Sequence, residues 1–89
     1  MKRVYFRQWE CVVEKTQYSN GVTALILNDA HTGEEVTVAT VNLPGVRCGK
    51  NEVFIKDYSE NDGILEALQA AGVVRATGGF VDSRFVRIP

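Results

Sequence analysis

Histidine occurs once in these 89 residues, at position 31, and cysteine twice, at Cys11 and Cys48. Two thiols 37 positions apart and a lone His31 match no zinc-ligand spacing, and no metal or other cofactor is expected. Two cysteines are also too few for a disulfide scaffold, so both are read as reduced thiols of a cytoplasmic protein. Long apolar runs are missing. Stretches such as Ala24-Leu25-Ile26-Leu27 fall far short of the ~20 residues that a membrane helix needs. The start, Met1 to Arg7, is basic, but Arg7, Gln8 and Glu10 take the place of an apolar core, so no secretory leader is expected. Excess charge is missing too. Ten Lys and Arg against eleven Asp and Glu give a net charge of −1, which offers no bulk attraction to nucleic acid or to an anionic membrane.

Catalytic combinations are equally scarce. Nucleophilic catalysis needs a nucleophile, a base and an orienting group. His31 lies in a polar turn, and Cys48, between Arg47 and Gly49-Lys50, has cationic neighbours that favour a thiolate but no histidine at a matching spacing. The Gly45 to Asn51 loop is not a phosphate loop: three residues separate its glycines where four are required, and Asn51 stands where Ser or Thr belongs. The chain is therefore not expected to be an enzyme.

An apolar fraction of 45% and a charged fraction of 24% are ordinary for one small globular domain spanning residues 1–89. Trp9, Cys11 and Val13 alternate with polar residues as in a strand. Asn20-Gly21 is a strong hairpin signal, and Val22 to Leu27 reads as a second, central strand. Asp29 to Gly33 reads as a turn, with Asp29 bonding downstream N–H groups, and Glu35 to Val41 as a third strand closing an antiparallel meander. Asn42 to Asn51 is a loop, and Glu52 to Lys56 a fourth strand. The period then changes: Ile64, Leu65, Leu68 and Ala71 mark one helical face, with Ser59 and Asp62 as a capping box and Gly72 as the C-terminal cap. Val73–Arg75 and Phe80–Ile88 complete the strands. The expected class is α+β: a small twisted antiparallel sheet or partly open barrel of five to six strands with one short helix over about residues 60–71.

Two surfaces stand out. The acidic turn Asp57, Tyr58, Glu60, Asn61 and Asp62, joined by Arg47 and Lys50 of the preceding loop, suits a protein partner with Tyr58 as anchor. The same acids equally serve the positive end of a helix dipole, and the tyrosine equally serves a core. The alternative is a nucleic-acid surface of aromatics and arginines, with Arg7 and Trp9 at one end of the chain and Arg84 and Arg87 at the other, brought together if the first and last strands lie side by side. Phe6, Trp9, Phe80 and Phe85 also read simply as core. An edge strand offers a route to a homodimer in either case.

From Tyr18 onward the order of segments is distinctive: Tyr18-Ser19-Asn20-Gly21, Ala39-Thr40-Val41-Asn42-Leu43-Pro44, Ile55-Lys56-Asp57-Tyr58-Ser59-Glu60-Asn61, Gly63 to Leu68, Ala71-Gly72-Val73-Val74, and Phe85-Val86-Arg87-Ile88-Pro89. This resembles a family of small uncharacterised proteins, a domain of unknown function, carried by Bacteroides-type conjugative elements, plasmids and phages. The Lys56 to Asn61 run followed by a short helix is its most specific part. No catalytic or binding residue comes with the resemblance. It implies a mobile-element protein in the cytoplasm of a bacterial host that acts by binding a host protein, with inhibition of a defence system such as a CRISPR effector as one form of that action.

Overall fold

The structure is a computed structural model that describes residues 3–42, 52–76 and 85–87. Its elements are β1 (Arg3–Phe6), β2 (Trp9–Gln17), β3 (Thr23–Asp29), β4 (Glu35–Val38), β5 (Thr40–Val41), β6 (Glu52–Ile55), a 3-10 turn (Ser59–Asn61), α1 (Ile64–Ala70), β7 (Arg75–Ala76) and β8 (Phe85–Arg87). Two antiparallel sheets form, with orders β1-β2-β3-β4 and β5-β6-β8-β7. The fold is the expected small α+β arrangement, built as two sheets and one short helix rather than a closed barrel.

One stretch of chain joins the sheets. β4 pairs with β3 and β5 pairs with β6, and Ala39 alone separates β4 from β5. The Ala39 N–H donates to the Leu25 carbonyl at 2.8 Å, while its carbonyl accepts the Lys56 N–H at 2.8 Å. The bend leaves the Leu25 N–H without a backbone partner there, and the Thr40 hydroxyl oxygen accepts it at 3.2 Å. The Tyr18 hydroxyl lies 2.9 Å from that same oxygen. A buried polar atom left unpaired would cost free energy, so Thr40 satisfies the corner as well as forming it. This is why a threonine is buried here.

The turns follow their local chemistry. β2 and β3 are joined through Gly21 at φ +86°, whose N–H reaches the Tyr18 carbonyl at 2.9 Å. The Asp29 carboxylate accepts the N–H groups of His31 at 2.7 Å and Thr32 at 3.2 Å, and these bonds hold its carboxyl below the usual range. The β1–β2 hairpin carries no such signal. Its two-residue turn is Arg7-Gln8, and Arg7 sits at φ +54°, a region costly for a residue with a Cβ.

The core gathers Val4, Phe6, Cys11, Leu25, Leu27, Ala39, Val53, Ile55, Ile64, Leu68, Val73 and Val74, with Trp9 partly buried against it. Phe6 and Trp9 thus belong to the core; the Phe80 and Phe85 side chains lie outside the described residues. Burial pushes the Cys11 thiol up, with Asp29 adding to the effect. The helix begins later than its sequence pattern implied. Ser59 takes φ +57° and forms no capping box with Asp62. Instead Gly63, at φ +90°, leads into α1, and the Asp57 carboxylate accepts the Leu65 N–H at 3.0 Å. Gly63 is needed for its backbone angle and not for close packing, since nothing lies within 4 Å of the space a Cβ would fill. The C-terminal end is as expected: Gly72 at φ +72° bonds the Gln69 carbonyl, and the Val73 N–H bonds that of Leu68, a Schellman closure.

Candidate functional site

The acidic turn divides once its side chains are placed. Asn61 is fully buried, and this removes it from the expected partner surface. Its Oδ1 accepts the Thr37 hydroxyl at 2.6 Å and its Nδ2 donates to the Val38 carbonyl at 2.8 Å, so both ends of the amide are used in tying the turn to β4. Asp57 is half-buried and spent on the start of α1. Glu60 is exposed and paired with Lys56, whose ammonium holds its carboxyl down at about 2. Tyr58 is 44% exposed, with the Lys56 ammonium 5.7 Å from its ring centroid, and Asp62 is exposed. Arg47 and Lys50, together with Cys48, lie outside the described residues.

The nucleic-acid surface is not assembled as expected. β1 and β8 belong to different sheets and do not pair, so the first and last strands are not side by side. Arg84 and the Arg87 side chain lie outside the described residues. Arg7 is exposed, and Trp9 is partly buried. His31 is exposed in its turn, 3.5 Å from Glu10. Among the described residues no three His, Cys, Asp or Glu side chains are grouped to hold a metal ion, and no helix is long and apolar enough to cross a membrane.

A feature that the sequence pattern did not single out is an open groove between β1 and α1, about 370 Å³ in volume. One wall is Tyr5, Phe6 and Arg7; the other is Asp62, Gly63, Glu66, Ala67 and Ala70. The helix wall is low because Gly63, Ala67 and Ala70 are small and share one face at helical spacing. Tyr5 is 68% exposed, the largest such value for a bulky apolar side chain among the described residues. Alternation along β1 buries Val4 and Phe6 and pushes Arg3 and Tyr5 outward, which is the local reason. Arg7 closes one end: its guanidinium lies 5.2 Å from the Phe6 ring centroid and reaches the Asp62 carbonyl in a long 3.4 Å bond. Those two contacts anchor the strained turn. The signal available in the sequence was Tyr5 itself, an aromatic on the polar phase of an alternating strand.

Chemically the groove presents two aromatic side chains, one of them exposed, one cation and two carboxylates around small side chains. Its one Tyr and one Arg are residue types that binding surfaces favour. Comparison of the chain with protein-family models, with curated proteins and with solved structures returns no match.

Proposed function

We propose that this chain is a non-enzymatic protein-binding module, an accessory factor of a mobile element directed at a host bacterial protein, with inhibition of a defence effector as its sharpest form. The observation that carries the binding part is Tyr5, 68% exposed on the rim of an open groove built from β1 and α1. An exposed tyrosine supplies large contact area with little side-chain entropy to lose, and burying it in a partner gives a strong anchor. Tyr58, 44% exposed in the turn that leads into α1, supplies a second aromatic. The mobile-element part is supported by the resemblance of the Lys56 to Asn61 run and the helix after it.

The test is affinity capture from bacterial lysate with the tagged chain, with and without nuclease, alongside Tyr5→Ala. A protein recovered in stoichiometric amount, insensitive to nuclease and lost with Tyr5→Ala, supports the reading. Recovery that vanishes with nuclease overturns it in favour of nucleic-acid binding.

A further inference from the structure

The same groove has the geometry for one particular kind of partner. β1 is the end strand of its sheet, paired with β2 and, among the described residues, with no strand on its other side. The Arg7-Gln8 turn makes Phe6 and Trp9 the first hydrogen-bonded pair of the hairpin. Antiparallel ladders alternate, so Val4 also faces β2 with its N–H and C=O, whereas Arg3 and Tyr5 direct theirs to the outer edge. At Tyr5 that edge borders the groove, whose other wall carries the small residues Gly63, Ala67 and Ala70. An edge strand flanked by a helix, with an open groove along their contact, is the kind of site at which an extended peptide adds as one more strand.

Charge selects the occupant. The Asp62 and Glu66 carboxylates on the helix wall take part in no ion pair or side-chain hydrogen bond among the described residues, while Arg7 is held at the turn over Phe6. A second copy of β1 offers no better match in the register centred on Tyr5, which sets Arg3 of one copy, already paired with Glu10, against Arg7 of the other, and like charges opposite each other are unfavourable.

We propose that the β1–α1 groove takes an extended segment of a partner polypeptide as an added strand, its backbone bonded to Arg3 and Tyr5 and a Lys or Arg side chain set against Asp62 and Glu66. This rests on the protein-binding reading and gives it a chemistry.

The test is selection from a displayed library of random peptides on the full chain. The enriched peptides are expected to alternate polar and apolar residues and to carry lysine or arginine. Binding of a synthesised winner should fall at least tenfold with Tyr5→Pro, which removes an outward N–H at an edge position where proline is tolerated. It should fall equally with Ala70→Trp, which fills the groove and leaves β1 untouched. Glu66→Lys should turn the enriched set acidic. Enrichment of nothing, enrichment without basic residues, or a winner that binds Ala70→Trp as it binds the parent chain would each overturn the proposal. So would a concentration-dependent dimer abolished by Ala70→Trp, which would seat a second copy in the groove. A host protein captured equally by the parent, Tyr5→Pro and Ala70→Trp would leave the binding module standing and remove strand addition.

Discussion

The side-chain amide of Asn61 donates to the carbonyl of Val38 at 2.8 Å, across 23 positions of sequence. With the Thr37 hydroxyl on its other end, this one buried residue fastens the turn before α1 to β4, the edge of the sheet opposite β1. Removing it strands a hydroxyl and a carbonyl. Asn61→Ala should therefore lower stability by about 2–4 kcal/mol, read from the urea midpoint at unchanged slope. Asn61→Asp should cost more, because it turns a donor into a carboxylate facing the Val38 carbonyl. A loss under 0.5 kcal/mol for Asn61→Ala would mean that the amide is dispensable.

The Lys56–Glu60 pair gives a pH prediction. Glu60 titrates at about 2 in the folded chain against an ordinary 4.5, first because the Lys56 ammonium bonds its carboxylate. A depressed folded value means that the contribution to stability is complete above the unfolded value and is lost as pH falls through about 2. Lys56→Ala should move the Glu60 midpoint upward by most of that difference, followed by the carboxyl carbon shift in NMR. A midpoint that stays at about 2 would assign the effect to the backbone and Ser59 instead.

Gly63 and Arg7 both hold positive φ, with opposite consequences for substitution. Gly63→Ala should cost about 1–2 kcal/mol although the space around it is open, because the penalty is in the backbone. Arg7→Asn should change stability by less than about 1 kcal/mol, since asparagine accepts that region, whereas Arg7→Val should cost about 1–3 kcal/mol. Thermal unfolding of the three variants decides it, and equal losses for the two Arg7 variants would deny that the turn is strained.

Tyr5→Ala should leave the unfolding midpoint within about 0.5 kcal/mol of the parent, as befits an exposed side chain, while weakening partner capture by tenfold or more. Leu68→Ala, by contrast, should cost about 2–5 kcal/mol in urea, because Leu68 is fully buried on the face of α1 that joins the core. A Tyr5→Ala variant that unfolds like Leu68→Ala would make Tyr5 structural.

What could be read from the sequence was what local chemistry decides. The turns at Asn20-Gly21 and Asp29 to Gly33, the buried face of α1 and the cap at Gly72 all stand where residue type and spacing put them, and so does the meander up to Val38; the third strand, expected to run from Glu35 to Val41, breaks at Ala39, and Thr40-Val41 pairs with β6 in the other sheet. What could not be read depends on distant partners. Asn61 sits in an acidic run and looks solvated, yet Thr37 and Val38 draw it inside. Ser59 and Asp62 have the spacing of a capping box, yet Asp57 takes the helix N–H, because Gly63 restarts the chain in a new direction. The β1–β2 hairpin lacks Gly or Asn in its turn and is bought with strain at Arg7, held by Phe6 and Asp62. The groove inherits that illegibility, since both of its walls end at these positions.

Ala39 has one further consequence. Its N–H is bonded to Leu25 of β3 and its carbonyl to Lys56, the residue after β6, so it ties the two sheets together at one point of the chain. Partial opening of either half strips a hydrogen bond from this one residue. The domain should therefore unfold in one concerted step, with the Ala39 amide among the last to exchange its proton with solvent, and no fragment ending inside residues 35–41 should retain half a fold.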